Sequence, residues 1–244
     1  MFRRTVPQLR REHDIDVVIV NGENIAGGRG INRKTLDELY RGGADIVTSG
    51  NHIWDQKEIF SFIDDEAFLV RPANYPEGTP GKGYCIYPFK AANIGVINLS
   101  GRTFMPPMDC PFQKVDEILK EIKKDCDIII VDMHAEATSE KIAMAFHLDG
   151  IATCVVGTHT HVQTADNRLL PKGTAYITDL GMVGPYNSSL GINVDNAIEK
   201  FITCRPVRFE IADGPCVFSA VVLETDKQNK AVKLTRILCN EEDL

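Results

Sequence analysis

The chain has no CxxC pair, no internal repeat, no low-complexity segment and no apolar stretch near the roughly 18 residues that a membrane span needs. Its seven cysteines, at 85, 110, 126, 154, 204, 216 and 239, are odd in number and scattered. That excludes a regular disulfide framework and points to reduced thiols in a cytoplasmic protein, several of them small core residues on strands. No membrane partner is expected. The basic start, MFRRTVPQLRRE, is not followed by the apolar segment of a secretory signal. An excess of positive charge is missing as well: 27 basic side chains against 34 acidic ones leave a net charge of -7. General attraction to nucleic acid or to anionic membranes is therefore not expected.

What is present is the alternation of short β-branched runs with amphipathic segments that marks an α/β protein. Strands are expected at Asp16 to Val20, Asp45 to Thr48, Tyr84 to Tyr87, Asn93 to Leu99, Asp127 to Asp132, Ile151 to Val156 and Thr174 to Ile177. Helices are expected at Arg33 to Arg41, Gln56 to Ile63, Gln113 to Lys124 and Ser139 to Phe146. In the third, Val115, Ile118, Leu119 and Ile122 recur at i, i+3, i+4 and i+7 and share one face. From Val207 onward, VRFEIADG, CVFSAVVLETD and AVKLTRILCN read as strands of an antiparallel sheet. The stretch RPANYPEGTPGKG, Arg71 to Gly83, reads as an ordered loop of turns rather than a linker. One domain over residues 1–244 is the simplest organisation.

Four of these strands end in groups that ligate. The first runs into Asn21, Gly22, Glu23 and Asn24; the second into Ser49, Gly50, Asn51 and His52; the third into Asp132, Met133 and His134; the fourth into GTHTH, Gly157 to His161. In open α/β sheets the carboxyl ends of strands lie along one edge, where ligands bind, so these segments can converge. Imidazole, carboxylate and amide oxygen without cysteine suit Mn, Fe, Zn or Co, and the oxygen share favours Mn or Fe. An extended HxH sets both imidazoles on one side, since side chains alternate with a period of two. His13 and His147 stand apart and read as surface or packing residues.

With these residues in view, the chain resembles the calcineurin-like metallophosphoesterases, through GNH at Gly50 to His52 and the HxH of His159 to His161. The strings VNGENIAGG, GNHIWDQKEIF, LVRPANYPEGTPGKG, GRTFMPP, HAEATSEK, GTHTHVQTADNRLLPKGTAYITDLGMVGP and PVRF resemble the YmdB-like subfamily of bacterial phosphodiesterases across nearly the whole chain. The resemblance implies a four-layer α/β/β/α sandwich with two mixed sheets. It also implies two divalent metal ions and hydrolysis of cyclic nucleotides, 2′,3′ or 3′,5′, by attack of a metal-bound hydroxide on phosphorus. By motif, Glu23 would bridge the metals, Asn51, His134 and His159 would complete one site, and His161 would serve the other with Asn24 beside the pair. His52 would face the phosphate as the catalytic residue. Asp55 would orient it or cap a helix. Glu136 and Thr138 would stand behind the ligands, with Thr138 favoured as a helix cap. Arg168, with Asp166 and Asn167, would meet substrate or form a turn, and the one tryptophan, Trp54, would pack rather than stack a base. The subfamily also suggests a homo-oligomer.

The resemblance has one gap. No GDVVG-like string, which would supply a first strand and a metal-ligand aspartate, occurs anywhere in the chain. The expectation is therefore a sandwich lacking that strand in an N-terminally truncated domain, an incomplete second metal site, and weak or absent hydrolysis. The alternative function is a noncatalytic regulator that binds a nucleotide or a protein and keeps a residual metal site.

Overall fold

The structure is a computed structural model that describes residues 1–243. In chain order its elements are helix α1 (Phe2–Glu12), strand β1 (Ile19–Asn21), α2 (Arg33–Arg41), β2 (Ile46–Thr48), a short 3-10 helix (Lys57–Ser61), β3 (Leu69–Val70), β4 (Tyr84–Phe89), β5 (Ala92–Ser100), α3 (Pro111–Ile122) and β6 (Ile128–His134). Then follow α4 (Thr138–His147), β7 (Cys154–Thr158), β8 (Arg168–Leu169), β9 (Ala175–Ile177), β10 (Val183–Pro185), α5 (Val194–Thr203), β11 (Cys216–Thr225), β12 (Ala231–Asn240) and a terminal 3-10 turn (Glu241–Asp243).

Six strands form one mixed sheet in the order β4-β5-β6-β7-β9-β8. Its four central strands run parallel, and an antiparallel partner closes each edge. Parallel strands in such a sheet are buried on both faces, which is why β6 reads IIIVDMH with no polar alternation. Ile129, Val131 and Met133 point to one side, where Val115, Ile118 and Leu119 of α3 and Met144 and Ala145 of α4 cover them. Ile130, with Val96, Val156 and Ile177, points to the other side and meets Ile46, Val70, Ala231 and Leu234 from the second layer of strands. Beyond that layer, Leu36 and Leu39 of α2 pack on Val47 and Leu69. Val6 and Leu9 of α1 pack on Phe218. Four layers result, as the resemblance implies.

The second strand layer differs from the expected mixed sheet. It consists of two three-stranded pieces, a parallel β1-β2-β3 and an antiparallel β10-β11-β12. The reason is local: β1 pairs only with β2, and no strand among the described residues joins β1 to β11 or β12. As an edge, β1 is only half buried, whereas all of β2 is buried.

Two expected elements change, and one unexpected helix is added. The segment VRFEIADG forms no strand; it makes a single bridge, Ile192 to Ile211, because only the short stretch 191–193 pairs with it before α5 begins. The helix expected from Gln56 is a 3-10 turn, and α5 fills a region for which no helix was expected. The Arg71 to Gly83 loop is ordered by one side chain: the Arg71 guanidinium donates to the carbonyls of Pro72, Thr79 and Pro80. Among the described residues no disulfide joins the cysteines, and burial pushes the thiols of Cys85 and Cys154, both on strands, up to about 12, so they stay protonated. Among the described residues no helix is long and apolar enough to cross a membrane.

Candidate metal centre

Parallel registry brings the strand ends together. Asn21 lies beside Thr48 across β1 and β2, and Ser100, His134 and Thr158 line up across β5, β6 and β7. At that level Glu23, His134 and His159 offer ligand atoms that all lie within 4.8 Å of one another. His134 is the centre. Its Nε2 lies 3.1 Å from Glu23 Oε2, 3.0 Å from Asn51 Oδ1 and 3.1 Å from His159 Nδ1.

Hydrogen bonds on the far sides of the rings settle which nitrogens carry protons. Asp132, fully buried at the end of β6, accepts from Asn21 Nδ2, Thr48 Oγ1 and Thr158 Oγ1. The Thr158 hydroxyl has one proton and gives it to Asp132 at 2.7 Å, so at 3.0 Å it accepts from His134 Nδ1–H. That leaves His134 Nε2 facing the cluster, where a cation that displaces its proton would meet a lone pair. His159 Nε2 meets the Glu136 carboxylate at 3.1 Å and must donate to it, which turns its Nδ1 lone pair inward. Such outer partners are what fixes ring orientation at metal sites.

The electrostatics match a cation rather than a proton. Burial, together with the charge of His134, lowers His159 to about 4, so it is neutral at pH 7. Burial raises the Glu23 carboxyl, but His134 and the His52 amide outweigh it and hold the group at about 2. Carboxylate, amide oxygen and two imidazole lone pairs thus meet in a site where one proton could serve only one of three acceptors. Two further features fit an ion. A Cβ on Gly50 would fall 2.3 Å from His134 Nε2 and 2.4 Å from Glu23 Oε1, so the backbone there leaves the space between the ligands open. Asn24 Oδ1 is buried with no hydrogen-bond partner, next to Glu23.

His161 does not join that group. Its Nδ1 donates to the Leu190 carbonyl at 3.3 Å, and its Nε2 faces Asn24 Nδ2 at 3.2 Å. Turning the Asn24 amide over would set its unpartnered oxygen beside that nitrogen, making a second, thinner donor pair. His52 stands at the rim: its amide donates to Glu23 Oε1 and its Nδ1 lies 2.9 Å from Asp55 Oδ2. Asp55 does not cap the 3-10 helix, whose capping position is Gln56.

Several sequence expectations are corrected. Thr138 is not the cap of α4; Ala137 holds that position and supplies no side-chain bond. Arg168 is not brought to the cluster, because its guanidinium lies over the Phe146 ring in the last turn of α4, eight residues along the helix from Thr138. At about 1.5 Å per residue that is about 12 Å of helix. Asp166 accepts from Thr164 and from the amide and hydroxyl of Thr178, and Asn167 donates to the Leu234 carbonyl, so both serve the turn. Trp54 packs between Phe60 and Tyr75. His147 pairs with Asp116 on the outer surface. The roles of Asp132 and Thr158, which set the His134 ring, escape the sequence reading; the signal was a carboxylate inside an otherwise apolar run.

Comparison with known proteins identifies the family. A family model described as "YmdB-like protein" matches residues 1–237. The chain is 53% identical over 245 residues to the 2′,3′-cyclic-nucleotide 2′-phosphodiesterase of Bacillus subtilis (strain 168), covering 100% of this chain and 93% of that protein. It is 37% identical over 250 residues to a putative phosphatase/phosphodiesterase of Mycoplasma pneumoniae, covering 100% and 88%. Among solved structures, a hypothetical protein from Thermus thermophilus superposes with a TM-score of 0.93 at 42% identity, over 98% of this chain and 93% of that one. A Mycoplasma pneumoniae phosphatase superposes with a TM-score of 0.92 at 36% identity, over 98% and 87%. The chain has the metallophosphoesterase fold and belongs to the YmdB-like protein family.

Proposed function

We propose that the chain is a metal-dependent phosphodiesterase acting in the cytoplasm on nucleoside cyclic phosphates, with the 2′,3′-cyclic form preferred and Mn or Fe as the working metal. The observation that carries the reading is the meeting of Glu23, Asn51 and His159 around His134 Nε2 at 3.0 to 3.1 Å, with outer hydrogen bonds that turn both imidazole lone pairs inward. The donor set, half oxygen and half imidazole nitrogen without thiolate, supports Mn or Fe. The name of the Bacillus subtilis relative supports the substrate.

Glu23, Asn51, His134 and His159 would hold one cation; Asn24 and His161, with Glu23 between, would hold a second more loosely. When bound, divalent cations polarise phosphoryl oxygens and lower the pKa of water at the site. The chain's own contribution is position and proton transfer. Asp55 fixes the His52 ring through Nδ1 and leaves Nε2 free, and the His52 amide bonded to Glu23 keeps that ring tied to the cluster. As the oxygen of water bonds to phosphorus and gives up one proton to solvent, the bond to the ribose 2′ oxygen breaks, and a protonated His52 Nε2 gives its proton to the departing oxygen and regains one from solvent. The product is a 3′-phosphomonoester.

The test is a panel of 2′,3′- and 3′,5′-cyclic nucleotides assayed with Mn²⁺. His52→Ala is expected to lower turnover by about 10² to 10⁴-fold, the usual contribution of general acid catalysis, while Mn²⁺ binding by calorimetry stays at the parent level. Nucleotide binding without turnover in the parent chain would instead establish the noncatalytic regulator. Elemental analysis should find one tightly held metal per chain, and two held equally tightly would contradict the inequality of His159 and His161.

A further inference from the structure

The two histidines of GTHTH are both held in unusual backbone conformations. His159 has φ 102° and His161 has φ 65°. The first lies beyond the small left-handed basin at about 50 to 70° that L-residues tolerate. Such residues persist only where the surroundings over-determine them. The side-chain bonds of the two histidines, to Glu136 and to the Leu190 carbonyl, hold their rings rather than their backbone. The constraint comes from Thr160, the residue between them, whose amide and hydroxyl both donate to Asp179 Oδ2, at 3.0 and 2.7 Å.

Asp179 is 0% exposed and lies just past the end of β9. Its Oδ2 also accepts from Lys141 Nζ at 2.8 Å, and Lys141, on α4, is 1% exposed. Its Oδ1 accepts from the Gly181 amide at 2.9 Å, and its own amide donates to Thr164 Oγ1 at 3.0 Å. The Lys141 chain runs directly beneath the motif: a Cβ on Gly157 would come within 2.7 Å of Lys141 Cδ. A buried carboxylate beside a cation site would compete for the ion unless its charge were met elsewhere. Lys141 meets it.

We propose that Lys141 and Asp179 are positioning residues for this site: a buried ion pair that clamps Thr160 and so aims His159 and His161 in different directions, toward separate cations. The inference rests on the metal-site reading above. Neither residue touches the reacting atoms. The pair acts through one peptide unit and one hydroxyl, and three bonds on a single carboxylate oxygen fix the turn between the two ligands.

Three variants test this, with Mn²⁺ affinity by calorimetry and histidine ring chemical shifts by NMR without metal as readouts. Thr160→Val keeps the volume and leaves the ion pair intact but deletes the hydroxyl bond; it should weaken Mn²⁺ binding about 10-fold and shift the His159 and His161 ring signals while leaving His52 unmoved. Thr160→Ser restores the donor and should return both to parent values. Lys141→Met with Asp179→Asn leaves no uncompensated buried charge, so folding is largely retained, yet Mn²⁺ binding should fall about 10- to 100-fold, the range for outer partners of ligands. Parent-like affinity and parent-like histidine shifts in a folded double variant, or in Thr160→Val, would overturn the proposal and leave the pair a packing feature. A parent chain that binds no Mn²⁺ would refute the metal-site reading itself, and in that event unmoved His159 and His161 shifts in Thr160→Val would separately refute the clamp.

Discussion

Gly50→Ala is expected to weaken Mn²⁺ binding and phosphodiesterase turnover by about 100-fold or more, at the upper end of or beyond the effect of losing an outer partner of a ligand. The reason is space. The added carbon would sit 2.3 Å from His134 Nε2 and 2.4 Å from both Glu23 Oε1 and His134 Cε1, distances that no real Cβ keeps. Either the backbone of the Gly50 turn retreats, taking Asn51 and the His52 amide with it, or the methyl group occupies the place where the lone pairs converge. Both outcomes dismantle the cluster without removing a ligand. Overpacking of this kind costs about 1 to 3 kcal/mol of stability, so the variant should still fold at room temperature. Calorimetric titration with Mn²⁺ beside a thermal scan separates the two effects. Parent-like Mn²⁺ affinity would mean that the space beside Gly50 is not where the ion binds.

Much of this site was legible in the sequence, for a physical reason: ligands at the ends of buried parallel strands announce themselves as polar groups that interrupt apolar runs. Glu23, Asn51, His134 and His159 all do so. Helix α2 was legible to the residue because Asn32 caps it, accepting from the Thr35 amide, and because Leu36 and Leu39 define its buried face. The apolar periodicity places the start of α3 at Gln113, but the helix begins at Pro111, since proline at the first position loses no intrahelical bond. Helix α5 escaped because Val194, Ile198, Phe201 and Ile202 lie on its exposed side, so its stripe is matched by no apolar partner segment. The alternation of VRFEIADG misled in the opposite direction, because alternation makes a strand only where a neighbour pairs with it.

The supporting charges were hidden differently. Asp132 bonds Asn21 from 111 residues away, and Lys141 bonds Asp179 from 38 residues away. In the chain, Lys141 reads as an ordinary helix lysine in TSEKIAMAF, and Asp179 as a turn residue in ITDLG. One signal was available for Asp179: it lies two residues past the end of β9, much as His159 lies one residue past β7, and so marks a fifth strand end at the same edge. Buried pairing is a property of the fold that no local pattern reports.

Gly157→Ala should have the largest effect on stability of any single methyl group in GTHTH. A Cβ at this position would lie 1.7 Å from the Thr178 carbonyl oxygen and 2.7 Å from both its carbon and Lys141 Cδ. The obstacle is backbone, and it cannot turn aside as a side chain can. Gly157 lies in β7 one step past the Val156–Ile177 pair, and the Leu180 amide donates to its carbonyl at 2.9 Å, so β7 and the chain leaving β9 approach here at backbone contact. Making room requires the two to part by roughly 1 Å or more to restore an ordinary contact, which breaks the Leu180 bond and drags Asp179 off Thr160. Overpacking in cores typically costs about 1 to 3 kcal/mol and occasionally more; with the lost backbone bond and the disturbed ion pair, about 3 to 5 kcal/mol is expected. At about 2 to 4 °C per kcal/mol for a chain of this size, the Tm should fall by about 6 to 20 °C. Gly184→Ala is the control, because the nearest atom to its added carbon is Met182 Sδ at 3.8 Å; its stability should stay within about 0.5 kcal/mol of the parent. A Gly157→Ala Tm equal to that of the control would show that β7 and β9 separate freely at this point. The aim of His159 and His161 would then have to be set by something other than the close approach of the two strands.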